Sequence, residues 1–203
     1  MSGATMELAL AAARLVVDEG LEYAAAKRKA ARALAPSRGS SRTGMPSNGL
    51  LEQQVREHLA LFHADTQPTE LAALRHLALR WMQRLAEFRP HLAGAVWRGT
   101  ATRLSAVHLD LYADDTKGPE IALINFGVRY DVADGGHNRR GEPLAVLSLS
   151  ERCPDFGMPV ALHLSLHAHD DLRGALLADA EGRSWRGDAH ALALLLQPQQ
   201  APR

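Results

Sequence analysis

The feature that most constrains this chain is a change in the spacing of its apolar residues at Arg89-Pro90. Before that point they recur every three to four positions, the period of a helix face. Ala4–Val17 reads as one helix with Gly20 as its stop, Glu22–Leu34 as a second, and Leu50–Phe62 as a third with Val55, Leu59 and Phe62 on one stripe. Pro68, a first-turn residue, opens a longer helix to about Phe88 that offers Leu71, Leu74, Leu77 and Leu85 to a core. After Arg89-Pro90 the period drops to two: Val107, Leu109 and Leu111 alternate with His108, Asp110 and Tyr112. This order predicts an α+β fold, a small mixed sheet flanked by helices and preceded by a helical N-terminal region.

The second half divides further. Leu92–Trp97, Val107–Ala113 and Met158–His167 read as strands. Val128–Val132 and Leu144–Leu149 read as a hairpin around the polar loop Asp134–Pro143. Helices are expected over Pro119–Phe126, with Gly127 as its cap, and over Asp171–Ala178 and Asp188–Gln197, with Asp188 as the N-cap of the last. Pro198–Arg203 should fray. Pro36–Asn48 (PSRGSSRTGMPSN) has almost nothing to bury and reads as a flexible linker. Residues 1–48 therefore form a helical region with its linker, and residues 49–203 an α/β domain that includes its own leading helices.

Charge and composition narrow the function classes. The 203 residues carry 23 Lys and Arg against 23 Asp and Glu, so bulk binding to a polyanion is excluded. A single cysteine, Cys153, excludes a disulfide framework and a multi-thiolate metal site. The apolar stretch near the N-terminus is broken by Arg14 and lacks the form of a signal peptide. No segment approaches the roughly 18 apolar residues of a membrane span. A cytoplasmic protein without membrane contact is the expectation.

The segment Gly94–Asp115 (GAVWRGTATRLSAVHLDLYADD) carries the strongest functional signal. A helix precedes it, and within it a strand leads through a glycine-containing turn to a second strand with polar residues on one face. It resembles the signature of the nucleotidyltransferase superfamily, the polymerase-β-like fold. There a Gly-Ser pair opens a turn, an Arg-Gly-Thr/Ser-Ala stretch follows, and Ser-Asp-x-Asp begins the next strand. Gly94 falls on the glycine of the pair, Arg98, Gly99, Thr100 and Ala101 on the middle stretch, and Ser105 before the carboxylate positions. The ending GRSWRGDAHALALLL resembles the terminal helix of small members.

The resemblance implies that Gly94, Arg98, Gly99, Thr100 and Ser105 contact a nucleotide and that paired acids hold Mg²⁺ or Mn²⁺ against its phosphates. The sequence departs from the pattern where the chemistry sits. Ala95 replaces the serine, Ala106 and His108 stand at the two aspartate positions, and Met158–Leu166 offers no third acid. His108 and Asp110, two residues apart on one strand face, are then the displaced catalytic and metal-binding pair. The implied function is a nucleotidyltransferase-like protein that transfers or binds a nucleotide. The alternative is a non-catalytic nucleotide- or RNA-binding module, or a protein-interaction module, of the same fold.

Other candidates are local. His163, His167 and His169 lie near Asp170, with His108 the natural third ligand for any ion they share, and Asp114 and Asp115 could take a cation at a strand end. Lys27, Arg28, Lys29 and Arg32 form a basic helix face that could touch RNA or DNA phosphates, although only Tyr23 is available for stacking. Cys153 lacks a neighbouring base.

Overall fold

The computed structural model describes residues 3–34, 44–137, 141, 143–179 and 182–197. The fold is α+β: a six-stranded mixed sheet with helices packed on it, preceded by a helical N-terminal region. The N-terminal region consists of α1 (Gly3–Glu19), α2 (Tyr23–Leu34) and α3 (Asn48–Phe62). Leu8, Ala12, Ala13, Val16 and Val17 of α1 meet Ala26 and Ala30 of α2 and Leu51, Val55 and Leu59 of α3 in a core of their own. The alanines let the three backbones approach closely, so a small apolar set closes the layer. α3 belongs to this first core, whereas the sequence grouped it with the second domain. Its stripe of Leu51, Val55 and Leu59 fits either neighbour, and only packing on α1 decides between them. Most of the expected linker (36–43) and the tail (198–203) lie outside the described residues.

α4 (Gln67–Arg84) begins with Pro68 in its first turn and is followed by a short 3₁₀ turn, Ala86–Phe88. Arg89 then takes a left-handed conformation at φ 46°, which turns the chain into the sheet. The strands are β1 (His91–Ala93), β2 (Val107–Ala113), β3 (Asp131–His137), β4 (Pro143–Arg152), β5 (Pro159–Ala168) and β6 (Arg186–Gly187). Their order is β3-β4-β5-β2-β1-β6, with β2 and β5 parallel and every other pair antiparallel. Between them run α5 (Gly94–Arg98), α6 (Gly118–Asn125), α7 (Leu172–Ala175) and α8 (Ala189–Leu196).

One face of the sheet is apolar. Leu92, Val107, Leu109, Leu111, Leu147, Leu149, Val160, Leu162 and Leu164 join Leu74, Leu77, Trp81 and Met82 of α4, Leu123 of α6 and Leu192 of α8 in the main core. Each fully buried leucine contributes about 1.5–3 kcal/mol.

Three expected elements differ from the structure. The strand over Leu92–Trp97 ends at Ala93, because Gly94 takes φ +66° and starts α5. Trp97 then lies against Gly187, where any Cβ would overlap the indole, and donates from Nε1 to the Ser184 carbonyl at 3.0 Å. The hairpin forms, but β3 runs Asp131–His137 with a bulge between Asp134 and His137, so it occupies part of the expected loop. The helix expected over Asp171–Ala178 is a 3₁₀ turn, His169–Asp171, followed by the single turn of α7. Asp188 caps α8 as expected, accepting from the Ala191 amide at 2.8 Å. No helix among the described residues is long and apolar enough to cross a membrane.

Candidate functional site

Strand alternation puts His108, Asp110 and Tyr112 of β2 on the face opposite the main core. The parallel register then sets His163, Ser165 and His167 of β5 beside them, residue for residue. β4 adds Ser148 opposite His163, β1 adds His91 opposite Asp110, and β6 brings Arg186 opposite Ala93. The result is a polar sheet face carrying four imidazoles, a guanidinium and one carboxylate from β2.

These groups fall into two linked sets. In the first, the His108 and His163 rings lie 5.1 Å apart, tilted by 33°. His163 Nδ1 is 2.9 Å from Ser148 Oγ, and His108 Nε2 donates to Glu22 Oε1 at 2.9 Å. Glu22 comes from the α1–α2 turn, so the helical layer reaches the sheet face here. The hydrogen bond from His108 holds the Glu22 carboxyl below its usual value, against the opposing effect of burial. His163 is pushed below the ordinary imidazole range by burial, and the neighbouring His108 adds to the effect.

In the second set, Asp110 is the hub. Its Oδ2 accepts from Arg186 Nη1 at 2.8 Å and its Oδ1 from His167 Nε2 at 3.3 Å. Arg186 Nη1 also donates to the Tyr112 hydroxyl at 2.5 Å. The Tyr112 ring stacks on His167 at 5.1 Å and meets the edge of His91 at 5.4 Å. His91 Nδ1 lies 2.9 Å from the Arg89 carbonyl, which can only accept, so Nδ1 carries a proton and Nε2 is the acceptor when the ring is neutral. By the same logic His108 and His167, which donate through Nε2, keep Nδ1 as their acceptor when neutral.

Of the residues the sequence singled out, Gly94 joins this face. A Cβ there would come within 3.3 Å of the His108 ring, so the close approach and the positive φ both favour glycine. Arg98, Gly99, Thr100 and Ser105 go elsewhere. The Arg98 side chain, 7% exposed, is held by Glu52 Oε2 at 3.0 Å and Asp179 Oδ2 at 2.9 Å, with the Trp185 ring 4.6 Å from its guanidinium carbon. Burial raises the Glu52 carboxyl, but hydrogen bonds and charge from Arg98 and Arg56 outweigh it and hold the group below its usual value.

Gly99 (φ +79°) ends α5, and the carbonyls that emerge there face guanidinium and amide donors. Arg75 Nε donates to Val96 at 3.2 Å, Arg56 to Arg98, and Gln67 Nε2 to Gly99 and Ala101 at 3.2 and 3.0 Å. This stretch presents acceptors, not the amide donors of a phosphate cradle. Thr100 is buried, and Ser105 Oγ closes a local turn by accepting from the Thr102 amide at 3.0 Å.

The remaining candidates are likewise dispersed. His167 faces Asp110, while His169 Nδ1 lies 3.8 Å from Asp114, so the two histidines do not share a partner. Asp115 accepts from the Lys117 amide at 2.9 Å, as a turn residue does. On α2, Lys27 donates to the Pro46 carbonyl and Asn48, Lys29 pairs with Glu19, and Arg28 and Arg32 are exposed. Cys153 is buried. The residues that sequence reasoning missed are Glu22, His91, Tyr112, Ser148 and Arg186. Only Tyr112 had a local signal, its place in the alternation of β2.

Compared with known proteins, the chain matches no family model, no curated protein and no solved structure.

Proposed function

We propose that this is a nucleotidyltransferase-like binding protein that holds a nucleotide on the histidine-lined sheet face and does not carry out metal-dependent transfer. The observation that carries the reading is the state of Asp110, the one acid of β2, which is already paired with Arg186 at 2.8 Å and His167 at 3.3 Å. Two-ion phosphoryl chemistry needs carboxylate oxygens free to face the metal. An imidazole at 108 and a carboxylate neutralised by a guanidinium do not fit Mg²⁺ or Mn²⁺, so no step is routed through such an ion.

Binding has better support. β1, the glycine turn at Gly94 and β2 follow one another in the order the family resemblance implies. Beside them the Arg186 guanidinium is a charged donor suited to phosphate oxygens, and the half-buried rings of His108, His163 and His167 are flat surfaces suited to a base.

A thermal-shift series with ATP, GTP, CTP and UTP, in excess EDTA and again with Mg²⁺, tests this. The expected result is a rise in Tm with at least one nucleotide that is the same in both buffers. A rise that vanishes in EDTA, or transfer of labelled nucleoside monophosphate to the protein or to RNA, would refute it.

A further inference from the structure

Away from the sheet face, the ends of α1 and α3 bring together three metal-ligating side chains that the nucleotide reading does not use. Asp18 stands in the last turn of α1, His58 in α3, and His63 caps the C-terminus of α3. One ligand atom from each lies within 4.8 Å of the other two, and among the described residues this is the only such group of three. Both imidazole Nε2 atoms are 3.8 Å from the same oxygen, Asp18 Oδ1. That is too long for a hydrogen bond. It is close to the spacing of about 3.3 Å between ligands of a tetrahedral ion with bonds of about 2.0–2.1 Å. We propose that Asp18, His58 and His63 bind a divalent transition metal, with zinc the best match, that ties α1 to α3.

Three further observations favour a cation here. First, the C-terminal ends of α1 and α3 converge on the spot, and each helix directs the negative end of its dipole there. Neither last turn supplies a Lys or Arg to offset it, and α1 places an acid, Asp18, where a helix favours bases.

Second, the ligands are held in place. The His63 amide donates to Leu59 at 2.8 Å, and its carbonyl accepts from the Gln67 amide at 2.9 Å. The His58 ring packs on Phe62 at 4.7 Å.

Third, a cleft of about 290 Å³ opens onto Asp18 and His63, lined also by Thr66, Glu70 and Arg103. Glu70 is committed to the Arg103 amide at 2.9 Å, so the chain supplies three ligands and the fourth position is left to water or a small anion. Two imidazoles with one carboxylate suit zinc and disfavour Mg²⁺, which prefers oxygen ligands alone.

Calorimetric titration of the chelator-stripped full chain with zinc chloride decides the matter. The expected result is binding of one ion per chain, with a rise in Tm. Asp18→Asn, His58→Gln and His63→Gln should each weaken affinity by more than about 100-fold, beyond the 10–100-fold typical of residues that only support a ligand. His108→Gln should bind as tightly as the unmodified chain. Cobalt should bind in zinc's place and give the intense visible absorption of a tetrahedral site. Asp18 is 55% exposed, so its amide variant tests the site without disturbing the core, with circular dichroism as the check on folding. No one-to-one zinc binding at micromolar concentration, or affinity unchanged in Asp18→Asn and His63→Gln, would overturn the proposal.

Discussion

Replacing Arg98 by methionine separates the two roles this residue can have. The change keeps an unbranched side chain and removes the guanidinium from between Glu52 and Asp179 and from the face of the Trp185 ring. The Arg98 side chain is 7% exposed and that of Glu52 5%, so the pair is buried, and breaking a buried pair costs about 3–5 kcal/mol because the remaining charge is left behind. Glu52 would keep Arg56 at 2.8 Å and Arg183 at 3.8 Å, although those guanidinium groups are 40% and 49% exposed and solvent screens them. The loss should therefore lie at the low end, about 3 kcal/mol, or a fall in Tm of roughly 6–12 °C for a chain of this size. Calorimetry or far-UV circular dichroism reads it directly. Nucleotide affinity below the transition should stay the same, since Arg98 lies outside the sheet-face site. A fall of less than about 2 °C together with a large loss of nucleotide affinity would refute the reasoning and return Arg98 to the binding site.

Two other perturbations probe the packing and the imidazoles. Gly187→Ala puts a methyl group into the Trp97 indole and should cost about 2–3 kcal/mol, seen as a lower Tm and a red shift in tryptophan fluorescence as the Ser184 hydrogen bond is lost. The His163 imidazole, facing His108, Ser148 and Glu22, is held below the ordinary imidazole value of about 6.5 by burial. A depressed folded value means that the unfolded chain binds the proton first. Stability is therefore full above about pH 6.5 and falls as the pH drops through the folded value. Urea denaturation between about pH 7.5 and 5.5 should show this fall, and His163→Gln should make it shallower. An identical slope in the variant would assign the effect to other groups.

How much of this was legible in the sequence follows from the range over which each signal acts. The alternation in Val107–Ala113 specified the strand to the residue and put His108 and Asp110 on one face, because period two is a property of the strand alone. Asp188 announced its cap for the same reason. Strand register was not legible. Setting His163 beside His108 depends on a parallel pairing across 55 residues, and Glu22 reaches His108 across 86. β6, two residues long, is too short to show a period, so Arg186 and its hold on Asp110 stayed hidden.

The glycines show the limit most clearly. Gly94 and Gly99 both take positive φ, as a turn motif suggests. Gly94 does so against His108, whereas Gly99 ends a helix whose carbonyls are satisfied by Arg56, Arg75 and Gln67 from other helices. Spacing in sequence cannot distinguish these two surroundings. The zinc-ligand set was equally out of reach, since Asp18 is brought to His58 and His63 only by the packing of α1 on α3.

The central claim is that the imidazole face of the sheet is where a nucleotide binds. Carbon-resolved NMR of the histidine rings, titrated with the nucleotide that gives the largest thermal shift in EDTA, tests it most directly. The signals of His91, His108, His163 and His167 should move together and saturate at one nucleotide per chain, while those of His58 and His63 stay in place. Saturable binding that leaves the four sheet-face rings unmoved would contradict the account.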